Sequence, residues 1–238
     1  MTTPMIKFDS PLRMLPPGLS RRQSLTLDGI RHAAEIATLA NKRLIQTLTE
    51  IACADSDAPT AESAERITSA YLDAWAIVDS IDRLRTLAQL LPESAESAGG
   101  IAIENSKLDG VRKVRNVSDH LAQRVDYVIA HGTPALGRLA WITMTGHLKG
   151  LSCMLVPGTL APTLEATAVS PEGKMFRPPT DHIRLDAGEH SASLSEAMET
   201  GQRMVEGVER GLRQAIKAHG LEGKFVGADI MVRMKIGK

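Results

Sequence analysis

Residues 24–54 read SLTLDGIRHAAEIATLANKRLIQTLTEIACA, and the spacing of their apolar positions decides the fold class. Ile30, Ala33, Ala34, Ala37, Leu44, Leu48 and Ile51 recur three and four residues apart, the period of one face of an α-helix. Thr26 or Asp28 is the expected N-cap, and the stretch from Ala54 to Pro59 ends the helix. Residues 61–91 carry a second stripe of the same period: Ile67, Tyr71, Ala74, Trp75, Val78, Ile81, Leu84, Leu87 and Ala88. Each helix is about 30 residues, so about 45 Å long. A short connection makes them antiparallel neighbours.

Working outward, residues 92–100 are a loop by composition. Leu108, Val111, Val114, Leu121, Val125 and Val128 predict a third helix over 107–130, with Gly132 as its left-handed cap. The period then changes. Residues 139–144 and 151–156 read as strands joined through 145–150 as a hairpin, with weaker strands at 164–169 and 182–185. Ser193-x-x-Glu196 has capping-box spacing and opens a helix that runs to His219, closed by Gly220. Residues 224–236 alternate loosely, as a strand would.

The expected fold is mainly α: a four-helix bundle with a small antiparallel β insertion. The expected organisation is an extended basic segment (1–24), three bundle helices (25–132), the β-rich insertion (136–192), a closing helix (193–220) and a C-terminal strand or tail (221–238). Two domains divided near residue 133 are the alternative.

The chain has 238 residues, with 28 Lys plus Arg against 28 Asp plus Glu. That balance carries no general attraction for nucleic acid. Hydrophobic residues are 43% and charged residues 24%, ordinary values that exclude wholesale disorder. Aromatics are 3% and unclustered, which excludes a stacking platform for single-stranded bases. Cys53 and Cys153 fit no zinc or redox spacing and are expected as buried free thiols. Residues 1–18 hold no signal-peptide core, and no run approaches the roughly 18 apolar residues of a membrane span. The reading is a cytoplasmic protein with no membrane partner.

Phosphate-loop, dinucleotide, nucleophile-elbow and HExxH motifs are all absent. His182-x3-Asp186-x3-His190 has ligand types at regular spacing, but Asp186-Ala187-Gly188 implies a turn, so these read as solvated loop histidines. No metal and no cofactor are expected. The third helix is more informative. Residues 107–149 hold seven basic residues (Lys107, Arg112, Lys113, Arg115, Arg124, Arg138 and Lys149) against Asp109, Asp119 and Asp126. Arg112, Lys113 and Arg124 are the expected phosphate-binding residues.

Arg115-Asn116-x3-His120 resembles the Rx4–6H motif of the HEPN family (higher eukaryotes and prokaryotes nucleotide-binding). Arg-to-His pairs at this spacing occur five times in the chain, and only Arg115 is followed by Asn. The placement on a late helix after two long ones is part of the resemblance. It implies a helical bundle acting as a homodimer, with Arg115, Asn116 and His120 as catalytic residues of a metal-independent RNA endonuclease, related to toxins or defence. The chemistry is coherent: histidine exchanges protons near neutral pH, and arginine offers phosphate a planar fork of donors. The alternative is a non-catalytic HEPN-like module that binds a nucleotide, a nucleic acid or a protein.

Overall fold

The computed structural model describes residues 3–54, 60–91, 104–123, 125–132, 134–146, 149–158, 180–226 and 229–234. Helix α1 (Arg21–Ala52) starts earlier than the apolar stripe suggested, because its cap is Ser20. The Ser20 side chain accepts from the Gln23 backbone and Gln23 reaches back to Ser20, a reciprocal cap of about 1 kcal/mol. Thr26 and Asp28 are therefore interior helix residues. Helix α2 (Ala61–Ala88) opens on the same kind of box, between Thr60 and Ser63. The two pack antiparallel, with Arg43 reaching Asp73 and Gly29 lying against Leu87. Ala33, Ala34, Ala37 and Ala40 of α1 and Ala70 and Ala74 of α2 are buried, and side chains this small let the backbones approach closely.

The third predicted helix is broken. Helix α3 (Asp109–Asp119) follows a short helical turn at 104–107; a 3-10 turn (Leu121–Gln123) and the six-residue α4 (Val125–Ala130) succeed it. Asn116, Ser118 and Asp119 are weak helix formers, since their side chains compete for the backbone. Strands β1 (Arg138–Gly146), β2 (Lys149–Leu155), β3 (Thr180–Ala187) and β4 (His190–Ser193) form one antiparallel sheet in the order β2-β1-β3-β4. The expected strand at 164–169 lies outside the described residues. Residues 229–234 belong to no strand.

Helix α5 (Leu194–Ala218) begins at Ser193, whose side chain accepts from the Glu196 backbone, and Gly220 closes it with a positive φ of 60°. It packs on α2, α1 and β3, whereas α3 packs on α2 and β4. The result is a helical layer against a small sheet, mainly α as expected. The core between them holds Ile30, Leu44, Ile77, Ile81, Val114, Leu139, Leu185 and Val205. Trp141 belongs to it, while Trp75 is half-buried and donates to the Leu136 carbonyl at 3.2 Å.

Two polar devices fix helices to sheet. Thr49 on α1, Thr180 on β3 and Thr143 on β1 form a hydroxyl chain, 2.6 Å and 2.8 Å long. Thr49 already donates to the Ile45 carbonyl, and each hydroxyl has one proton. The order is thus set: Thr143 donates to Thr180, and Thr180 to Thr49. The second device is Tyr71 on α2. Its buried hydroxyl lies 3.2 Å from the Gly137 carbonyl and 2.8 Å from that of Leu155.

The N-terminal segment does not stand apart. Met5, Ile6, Leu12 and Leu15 are buried against the helices. The C-terminal tail crosses it, where the Val226 amide donates to the Leu15 carbonyl at 2.8 Å. Asp229 then closes two bonds on the buried guanidinium of Arg31, 2.9 Å and 2.5 Å long. Among the described residues, no helix is long and apolar enough to cross a membrane.

Candidate functional site

Helix α3 carries most of the expected site residues, and its seat explains where they point. Leu108, Val111, Val114 and Val117 are buried and hold one face to the core. Gly110 lies where α3 meets β4: a Cβ there would stand 2.7 Å from the Ser191 carbonyl oxygen. Only glycine permits that approach. The docking turns Arg115 toward α2.

Arg115 is surrounded by carboxylates. Its Nη1 donates to Asp82 at 2.7 Å, its Nη2 stands 3.1 Å from Asp79, and its Nε stands 3.6 Å from Asp119. Asp82 is buried and also receives Arg85, at 2.8 Å; Asp79 also receives Arg83, at 2.8 Å. Three arginines and three aspartates make a closed, neutral network across the α2–α3 junction. The Asp82 hydrogen bond, and then the charges of Asp119 and Asp79, raise the Arg115 pKa against the opposing effect of burial.

Arg112 and Lys113 are exposed and share one carboxylate: Asp109 lies 3.0 Å from Arg112 and 2.8 Å from Lys113. The Lys113 hydrogen bond is the main reason the Asp109 carboxyl sits below the usual range, with Arg112 adding to it. Asn116 is exposed. His120 is exposed as well, as the C-cap residue of α3 with φ −112° and ψ 19°. It stands at the end of a short helix, where a site early in a long one was expected. Arg124 lies outside the described residues. Within one chain, Arg115 is turned inward to α2 while Asn116 and His120 face solvent.

The histidine-rich stretch sits on β3, β4 and their turn. Asp186 is buried and held by Arg138 at 3.0 Å and Arg184 at 3.1 Å, so its oxygens are already neutralised. No group of three potential metal ligands occurs among the described residues. His182 has a φ of 55°, at the point where the β1–β3 register shifts. The cysteines correct an expectation: Cys53 is exposed and Cys153 is half-buried.

Asp79 and Asp82 were missed in the sequence. Their signal is two acids three apart on α2, with Asp82 inside the apolar stripe beside Ile81 and Leu84. Comparison with protein-family models, curated proteins and solved structures finds no match to this chain.

Proposed function

We propose that this chain is a non-catalytic, HEPN-like helical module, in which α1, α2, α3 and α5 serve as the bundle. It works by holding a protein partner, first of all a second copy of itself. The observation that carries this reading is the Arg115 network. A nuclease of the expected type needs this guanidinium turned to a phosphate. Here its donors face Asp79, Asp82 and Asp119, so the guanidinium is already committed to carboxylates and is not turned to a phosphate. Arg112 and Lys113 are likewise offset by Asp109, which weakens the case for a nucleotide or RNA ligand.

A protein partner is favoured by the C-terminal tail. Ile230, Met231, Val232 and Met234 are exposed, from 72% for Met231 to 86% for Ile230. A row of large apolar side chains in water is a feature of binding surfaces.

The test has two arms. RNA incubated with the wild-type protein in EDTA stays intact; cleavage that His120→Ala abolishes overturns the reading in favour of a metal-independent ribonuclease. In sedimentation, the wild-type chain is dimeric and the Ile230→Asp/Val232→Asp variant is monomeric. A monomeric wild type removes the second copy as partner.

A further inference from the structure

We propose that Cys53 and Cys153 are a redox pair, which a low-molecular-weight disulfide such as oxidised glutathione converts into an intramolecular disulfide joining the end of α1 to β2. Cys53 caps the C-terminus of α1. One turn earlier, Thr49 meets Thr180 on β3 at 2.6 Å, and Thr180 meets Thr143 on β1 at 2.8 Å. The last turn of α1 is therefore pressed against this face of the sheet. Cys153 is on the same face. It pairs across β1–β2 with Trp141, residues opposite each other share a face, and Trp141 and Thr143 are both buried under the helices. Cys153 itself packs on the core. Burial pushes the Cys153 thiol pKa up, and the charge of Cys53 adds to that in the same direction.

The two thiols have different parts. Cys53 is exposed and meets the oxidant first. Its thiolate attacks one sulfur of the small disulfide; the S–S bond breaks, and one small thiol leaves with the proton that Cys53 gave up. The mixed disulfide carries no thiolate charge at Cys53, so one of the two influences holding Cys153 protonated disappears. The Cys153 thiolate then attacks the Cys53 sulfur and releases the second small thiol. Two cysteines are oxidised, one disulfide is reduced to two thiols, and no other reactant is needed. The bond closes a loop between positions 53 and 153 and ties the helical hairpin to the sheet.

The experiment treats the folded full-length protein at low concentration with oxidised glutathione, blocks remaining thiols with an alkylating reagent, and measures intact and peptide mass without reduction. The expected result is loss of both alkylatable thiols, a Cys53–Cys153 peptide from monomeric protein, and recovery of both thiols with a reductant. Cys153→Ser stops at the glutathione adduct on Cys53. The proposal is overturned if the wild type keeps both thiols, accumulates only adducts, links between molecules, or crosslinks no faster folded than in urea.

Discussion

Arg115 on α3 donates through Nη1 to Oδ2 of Asp82 on α2, at 2.7 Å, across the junction of the two helices. Asp82 is only 4% exposed, so its charge depends on its two arginines. Arg115→Ala leaves the carboxylate with Arg85 alone and costs about 1–3 kcal/mol, measured by urea denaturation. Arg115→Lys recovers part of this, because one ammonium cannot reproduce the bonds to Asp82 and Asp79. An unchanged midpoint in Arg115→Ala would show that the network contributes nothing to the docking of α3.

Gly110→Ala tests the seat of α3 directly. Alanine favours helix by up to about 1 kcal/mol over glycine, yet its Cβ meets the Ser191 backbone oxygen at 2.7 Å. Backbone cannot rotate away as a flexible side chain does. A net loss of about 1–3 kcal/mol is expected, with faster amide exchange in β4.

Tyr71 sets a limit on alkaline stability. Burial raises its pKa well above the ordinary phenol value, outweighing the opposite effect of a backbone hydrogen bond. A raised folded pKa means the contribution is complete below the unfolded pKa, about 10. It declines as pH rises above that value and is gone beyond the folded pKa. Stability should fall above about pH 10, and Tyr71→Phe should flatten that fall. At neutral pH the same substitution costs about 1 kcal/mol, by loss of the bond to the Leu155 or Gly137 carbonyl. Ultraviolet titration of phenolate should find Tyr71 silent until the protein unfolds.

Asp229 governs the tail. The Arg31 hydrogen bond, and then the charges of Arg31, His32 and Arg13, hold its carboxyl below the usual range. A depressed pKa means the anchoring is present above the unfolded Asp value, about 3.9. It is lost as pH falls through the folded value. Asp229→Asn mimics that loss at neutral pH. Amide exchange at Val226 should rise and tryptic cleavage after Lys224 should quicken. Equal rates in variant and wild type would mean the Val226–Leu15 bond holds the tail alone.

Much of the scaffold was legible from residue spacing. The stripes of α1, α2 and α5 and the β1–β2 hairpin all appeared where short-range period placed them. The break after Asp119 did not, because Leu121, Val125 and Val128 continue the apolar period across a chain that has left the helix. β4 was missed because four residues are too few to show a period. The N-cap of α1 was misplaced because Thr26 and Asp28 are capping types lying in the helix interior, and Thr26 is buried there.

The motif residues divide along the same line. That Arg115, Asn116 and His120 lie on or beside one helix is a property of nearby residues, and the sequence determined it by itself. What Arg115 does is not local. Its partners Asp79 and Asp82 are more than thirty residues away, and they meet it only because Gly110 lets α3 rest on β4 and Val111, Val114 and Val117 fill the core beneath it. Short-range periodicity records which face of a helix is buried. The tertiary packing decided which charges that face brings together, since a guanidinium beside three carboxylates and one open to solvent share the same local sequence.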